Sequence, residues 1–290
     1  MTGSSEFYLV STDHLETTLW FREEEDFKAG MNAVALIASV MHACIMAFIL
    51  MSNHVHFLLQ GSREGAIKFI QAYKNHYSRY YSNKYGIKEL LRRNGVDIRP
   101  IPLENESLER AIAYVQANPV AANICMNAAD YPWGSGNCFF RPSPLTGTPI
   151  ASLSKRKQYA LLHSRQAIPA GLIIGAEGYI DPRSYVNIPR VESLFRTPKR
   201  MSFFLLNSSK AKRRLENDSD IPAFRDQVVS SAMGDLCTTL FGTSSFTTLS
   251  EQGQAEILKQ VKYRFSSNIH QLSRVSGKAY EEVCHLLESI

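Results

Sequence analysis

The stretch that decides the fold is residues 43–60, which read ACIMAFILMSNHVHFLLQ. Two apolar runs, 43–51 and 55–60, are separated by Ser52-Asn53. Short apolar runs bounded by turn-forming residues are typical of buried strands, and a two-residue connection between them indicates a tight turn. The stretch therefore predicts a β-hairpin with a largely buried pair of strands.

Elements of alternating type surround this hairpin. The patterns predict a strand at 6–12, a helix at 24–39, the hairpin, a helix at 65–85 closed by Gly86, a strand at 96–102 and a helix at 107–117. This order is the split βαβ plan of ferredoxin-like domains, βαββαβ, followed by an extra helix. We therefore expect the α+β class, with an antiparallel sheet.

The second half of the chain has a different composition. Residues 131–153 hold four prolines among several Gly and Ser, which predicts a boundary near 145–153. The division expected is a domain at 1–145 and a mostly helical region at 150–290. Within that region, residues 250–290 contain three short helical patterns and a turn at Ser276-Gly277, the outline of a helix-turn-helix.

Composition excludes several classes of protein. A net charge of +5 over 290 residues is too mild to indicate nucleic-acid binding by itself. The five cysteines are scattered without a CxxC pair, which argues against a disulfide framework and favours a reducing compartment. The N-terminus lacks the basic and apolar regions of a signal peptide. The uncharged run 33–51 is long enough for a membrane helix, but Ser39, His42 and Cys44 interrupt it, so we expect a soluble protein.

The HVH sequence at 54–56 is a candidate metal site. Alternate residues of a strand share a face, so His54 and His56 point the same way while Val55 and Phe57 face the core. Two imidazoles spaced in this way form a bidentate site for a cation. The alternative is one packed histidine and one surface histidine, and the pattern alone favours it.

Residues 62–99 form a basic, tyrosine-rich segment. Nine basic residues stand against three acidic ones, a net charge of +6. The basic residues are Arg63, Lys68, Lys74, Arg79, Lys84, Lys88, Arg92, Arg93 and Arg99. Basic groups track phosphates and tyrosines stack on unpaired bases, which indicates binding of single-stranded nucleic acid. The alternative is a solvated helix whose tyrosines belong to the core.

The sequence YVQANPV at 114–120 is the third candidate. Tyr114 and Asn118 are four residues apart and share a helical face. Because proline disfavours helical geometry in the residue before it, Pro119 predicts that Asn118 lies at the frayed end of the helix with its amide free for a ligand. The ordinary alternative is a core tyrosine followed by an asparagine at a helix end.

Together, MSNHVHFLL, the basic tyrosine-rich helix, YVQANPV and YPWGSG resemble the REP-associated tyrosine transposases of the HUH single-strand-DNA (Y1) transposase superfamily. The resemblance covers roughly residues 5–140. It implies that Tyr114 is the nucleophile, on the extra helix, and that His54, His56 and Asn118 bind Mg²⁺ or Mn²⁺. In this family the partner is single-stranded or hairpin DNA.

The activity implied by the resemblance is cleavage and rejoining of DNA through a 5′-phosphotyrosine. We also expect a cytoplasmic, nucleoid-associated location in a bacterium and no membrane partner; whether a monomer or a homodimer builds the site stays open. The rival function is that of a domesticated, non-catalytic DNA-binding relative acting through its basic and C-terminal helical regions. The intact tyrosine and ligand positions favour the enzyme.

Overall fold

The computed structural model describes residues 6–15, 18–87, 94–122, 124–215, 224–265 and 267–288. The first elements are β1 (Phe7–Thr12), α1 (Glu24–Met41), β2 (Cys44–Met51), β3 (His54–Gln60), α2 (Arg63–Tyr85), β4 (Val96–Ile101) and α3 (Ser107–Ala121). The four strands form an antiparallel sheet in the order β2-β3-β1-β4. The predicted α+β class and antiparallel sheet are confirmed, and the hairpin turn lies at Ser52-Asn53.

Local capping explains the bounds of α2. Ser62 precedes the helix and its hydroxyl accepts a hydrogen bond from the Gly65 backbone N–H at 3.1 Å. The helix therefore begins at Arg63, two residues before its predicted start. It ends at Gly86, whose φ of 70° suits a glycine cap, as the sequence predicts.

The alternation along β3 separates its side chains between two layers of helices. Phe57 packs against Phe69 and Tyr73 of α2, with ring centroids 5.1 and 5.3 Å away. His56, one residue earlier, contacts Tyr114 of α3 on the opposite face. Phe57 thus faces the helix layer that contains α2, and His56 faces α3.

Three of the five tyrosines of α2 belong to the core, as one of the two alternatives for this segment predicts. Tyr73, Tyr77 and Tyr81 are fully buried. The Tyr77 hydroxyl donates to the Trp20 carbonyl at 2.6 Å, and the Tyr81 hydroxyl donates to the Leu19 carbonyl at 3.0 Å. These three rings are core residues and do not stack on a base.

The YPWGSG segment covers the edge of β2. The Leu50 N–H donates to the Trp133 carbonyl at 2.8 Å, and the Ser135 N–H donates to the Phe48 carbonyl at 3.0 Å. Gly134 lies between them, where a Cβ atom would come within 2.7 Å of the Phe48 carbonyl oxygen. Glycine is needed for this close approach, which covers an edge that would otherwise be open to another strand.

The later elements comprise β5 (Thr148–Pro149), α4 (Lys155–Leu162), β6 (Ile173–Ile174), α5 (Ile188–Phe195), α6 (Pro198–Leu215), α7 (Asp226–Phe241), α8 (Glu251–Phe265), α9 (Ile269–Ser276) and α10 (Tyr280–Glu288). Residues of α5 and α6 join the core of the sheet, whereas α7 to α10 share a hydrophobic cluster of their own. Gly277, with φ of 74°, caps α9 at the predicted turn. The domain division at 145–150 and the role of a helix-turn-helix stay predictions.

Candidate active site

Three side chains predicted to act together meet on the α3 side of the sheet. The rings of His54 and His56 lie edge to face with centroids 4.8 Å apart. The Tyr114 ring of α3 lies edge to face with His56, with centroids 5.6 Å apart. Both histidines are buried, being 5% and 4% exposed, whereas Tyr114 is half-buried. The sheet and α3 therefore bring the two sequence motifs into contact.

Hydrogen bonds orient both imidazoles. Nδ1 of His54 lies 2.9 Å from Oδ1 of Asn53, and Nδ1 of His56 lies 2.7 Å from Oγ of Ser11. Because an amide oxygen only accepts, Nδ1 of His54 is the donor in this hydrogen bond. The Nε2 atoms of both rings are buried. A cation would be bound through Nε2, with the ring orientation held by the partner of Nδ1.

His14 is a site residue that the sequence reasoning missed. Its ring stacks on that of His54, with centroids 3.8 Å apart and planes 10° apart. It lies in the loop after β1 and its side chain is exposed. No periodic pattern singles out a loop residue of this kind, because its position depends on the path of the chain after the strand.

The structure corrects the prediction for Asn118. Helix α3 continues through Pro119 to Ala121, and Asn118 is fully buried within it. Its Nδ2 group donates to the carbonyls of Tyr114 at 2.8 Å and Val115 at 3.2 Å. Pro119 has no N–H to give to the Val115 carbonyl, four residues earlier, so the Asn118 amide supplies the missing donor. The prediction of a frayed helix end is therefore wrong.

The predicted ligands would suit a divalent cation that is intermediate between a hard and a soft metal ion. The predicted set is two imidazole nitrogens and one amide oxygen, which would be Oδ1 of Asn118, because Nδ2 donates to the Tyr114 and Val115 carbonyls. In the part of the chain that the structure describes, no group of three or more His, Cys, Asp and Glu side chains could hold a metal. Imidazole ligands favour Mn²⁺ and later transition metals over Mg²⁺, and a set of three leaves positions for other oxygens.

The predicted DNA-binding residues fall into three groups. Lys88, Arg92 and Arg93 lie outside the described residues. Exposed side chains belong to Arg63, Lys68, Arg79 and Arg99. Among these, Lys68 forms an ion pair with Glu64 at 2.7 Å, and Arg99 forms one with Asp97. Exposed ion pairs are weak, so both cations can exchange their partner for a phosphate.

The amines of the remaining two basic residues form hydrogen bonds or ion pairs with other residues of the protein. Lys74 is 9% exposed and donates to the Asn94 carbonyl, and burial lowers the pKa of its amine. Lys84 donates to the fully buried Asp26 carboxylate at 2.7 Å and also pairs with Glu23. Contact of either amine with DNA would require these bonds to break.

A cleft of about 650 Å³ adjoins His54. Its lining includes His14, His54, Trp133, Arg225, His270 and Arg274. The last three belong to the C-terminal helices or the residue before them, which the sequence did not place near the site.

Asp226, the first residue of α7, joins these helices to the hairpin. Its carboxylate accepts hydrogen bonds from Ser52 Oγ at 2.8 Å, Arg274 Nε at 2.9 Å and Gln271 Nε2 at 3.0 Å. The side chain is 5% exposed. One buried carboxylate thus ties the turn before His54 to α9. The sequence carried no signal for this contact, because its partners are far apart in the chain.

Among the described residues, no helix is both long and apolar enough to cross a membrane. The uncharged run 33–51 is divided between the end of α1 and β2.

No family model matches the chain, and no curated protein matches it. A solved structure described as a REP-associated tyrosine transposase bound to a REP hairpin is similar over 47% of this chain and 79% of its own, with 12% identity and a TM-score of 0.34.

Proposed function

We propose that this chain cleaves and rejoins single-stranded DNA, with Tyr114 as the nucleophile. The observation that carries the proposal is the contact between the Tyr114 ring and His56, centroids 5.6 Å apart, directly beside the paired ring of His54. A phenol next to two oriented imidazoles combines a nucleophile with cation ligands, as phosphoryl transfer requires. The strand order β2-β3-β1-β4, with α1 between β1 and β2 and α2 between β3 and β4, supports the proposal of a ferredoxin-like domain to which α3 would add the nucleophile.

The proposed reaction needs no ATP, because the phosphotyrosine bond that forms retains the energy of the phosphodiester bond that breaks. A phenol is protonated at neutral pH, so Tyr114 Oη loses its proton to solvent as it attacks phosphorus. A tyrosyl O–P bond forms and the bond from phosphorus to the 3′ oxygen breaks. The leaving 3′ oxygen takes up a proton, which yields a 5′-phosphotyrosine and a 3′-hydroxyl. Attack by a 3′-hydroxyl from another end reverses these steps and rejoins the strand.

The cation in this proposal is Mg²⁺ or Mn²⁺, held by His54, His56 and Asn118. When bound, a divalent cation polarises a phosphoryl oxygen and stabilises the charge that develops on it. Asn53 and Ser11 hold the two imidazoles in the orientation that this binding needs. The Oδ1 atom of Asn118 would supply the third bond, with the amide fixed by its hydrogen bonds inside α3.

The proposed partner is single-stranded or hairpin DNA. The exposed cations Arg63, Lys68 and Arg79 lie along α2, and Arg99 lies on the neighbouring strand β4. Contacts of these groups with phosphates would make binding strongly salt-dependent.

The test is covalent capture of DNA. Protein incubated with a labelled single-stranded oligonucleotide pool and Mn²⁺ should form an adduct that survives denaturing electrophoresis. Tyr114→Phe should bind DNA without forming the adduct, because only the phenolic oxygen is lost. Tyr159→Phe is the matched control, since Tyr159 is a half-exposed tyrosine on α4. An adduct of wild-type yield in Tyr114→Phe would contradict the assignment.

A second candidate is DNA binding without cleavage. Burial of His54, His56 and Asn118 favours it, because a phosphate must reach side chains that are at most 5% exposed. This function predicts a salt-sensitive complex with DNA and no covalent adduct in the wild-type protein at any Mn²⁺ concentration. The capture experiment therefore separates the two candidates.

A further inference from the structure

The cleft beside His54 has a wall that is built by the C-terminal helices. Its volume of about 650 Å³ lies within the range typical of small-ligand sites. Two hydrogen bonds hold the wall in place. Ser52 Oγ donates to Asp226 at 2.8 Å, and Gln227 Nε2 donates to the Phe21 carbonyl at 2.8 Å. The start of α7 is therefore fixed against the domain that carries His54.

The wall presents an aromatic face and a cation. Phe224 lines the cleft with 44% of its surface exposed, and its ring is held edge to face by Phe265 at 5.3 Å. Arg225 follows it and is exposed, and it forms no ion pair with another described residue. The charge of Arg274, by contrast, is engaged by Asp226 at 2.9 Å. Arg225 is thus the guanidinium in this wall that is available to an anion.

We propose that this cleft binds one unpaired nucleotide of the DNA strand, with its base on the Phe224 ring and its phosphate at Arg225. The inference rests on the proposed function, since it takes single-stranded DNA as the ligand. Aromatic side chains stack on unpaired bases and arginines pair with phosphates, and this combination is typical of single-strand binding. A paired base offers no free face, because its neighbours in the duplex cover it. The site therefore discriminates against duplex DNA.

The position of the cleft gives the nucleotide a role in the reaction. His54 lines the same cleft and lies beside His56, which contacts Tyr114. A nucleotide held there is a near neighbour of the scissile phosphate and limits how the strand can lie across Tyr114. The C-terminal helices would in this way select and orient the strand, without supplying a group to the chemistry itself.

The experiment measures binding in the Tyr114→Phe background, so that it does not depend on cleavage. Fluorescence anisotropy compares a short labelled single strand with a duplex of the same sequence. Phe224→Ala and Arg225→Ala should each weaken single-strand binding about tenfold, with a smaller effect on the duplex. Phe224→Leu, which keeps apolar packing against Phe265, should weaken it similarly. Phe241→Ala at the far end of α7, where the phenylalanine is also 44% exposed, should have no effect.

Single-strand affinities for the Phe224→Leu and Arg225→Ala variants equal to that of Phe241→Ala would overturn the inference. Equal losses for single strand and duplex would also overturn it, because they would indicate a general electrostatic effect. If the wild type forms no covalent adduct while Phe224→Leu still weakens single-strand binding, the inference stands and the proposed reaction fails. If the wild type forms the adduct and Phe224→Leu binds the single strand normally, the proposed reaction stands and the inferred nucleotide site fails.

Discussion

Replacement of Asn118 and Pro119, singly and together, separates the structural role of the asparagine from its proposed role as a cation ligand. In α3 the Asn118 amide donates to the Val115 carbonyl at 3.2 Å, where the N–H of residue 119 would donate if that residue were not proline. Asn118→Ala removes this donor at a fully buried position. The Tyr114 carbonyl keeps the backbone N–H of residue 118, as in any α-helix. Asn118→Ala therefore leaves one acceptor, the Val115 carbonyl, without a donor, and the loss of stability comes from that group.

The magnitude follows from that single unsatisfied acceptor. A buried polar group left without its partner costs about 1–3 kcal/mol, so Asn118→Ala should lower the free energy of unfolding by this amount. Pro119→Ala restores a backbone N–H, which can donate to the Val115 carbonyl. In the Pro119→Ala background the Asn118→Ala cost should therefore fall by about 1 kcal/mol. Urea unfolding of the four proteins in the double-mutant cycle measures this coupling.

Covalent capture of DNA by the same four proteins tests the ligand role. The adduct should be lost in Asn118→Ala and should stay lost in the double variant, because neither protein has the Oδ1 atom. A coupling free energy of zero between the two substitutions would refute the claim that the Asn118 amide replaces the N–H that Pro119 lacks. Recovery of the adduct in the double variant would refute the ligand role, since repair of the helix alone would then restore activity.

Three further outcomes are expected. Asp226→Ala leaves Arg274 largely buried without its carboxylate, so it should lower the free energy of unfolding by about 3–5 kcal/mol in urea titrations; a loss below 1 kcal/mol would contradict this. Burial lowers the pKa of His76, so the folded state favours the neutral ring; stability should be complete above about pH 6.5 and fall as the pH drops below it. His76→Gln should make that fall shallower, and an unchanged pH profile would count against the role of His76. Ser11→Ala removes the partner of the His56 Nδ1 atom, so half-maximal adduct formation should need roughly tenfold more Mn²⁺, whereas an unchanged requirement would exclude an orienting role.

Local patterns in the sequence determined the elements and their faces. The hairpin at Ser52-Asn53, the cap at Gly86 and the common face of His54 and His56 depend on neighbours a few residues away, where turn chemistry and the period of two act. The same patterns indicated a phenol and an amide on one face of α3. They could not choose Tyr114 over the other tyrosines of the chain, and only the resemblance to a family did so.

Tertiary packing decided which of these groups meet. Tyr73, Tyr77 and Tyr81 have the same side chain as Tyr114, but they lie in the core because α2 turns them toward the sheet. Asn118 lies inside a helix rather than at its end, because its own amide replaces the donor that proline lacks. The burial of the tyrosines and the position of Asn118 depend on the balance between burial and hydrogen bonding. The intrinsic helix propensity of a residue does not describe that balance.

The contribution of the C-terminal helices was decided by tertiary structure alone. Ser52 and Asp226 meet at 2.8 Å although they are 174 residues apart in the chain. A contact of this kind depends on two surfaces that become complementary only after each part has folded, and no local pattern in either segment encodes it. The sequence determined the chemical groups of the site, and the packing of distant segments determined the cleft that surrounds them.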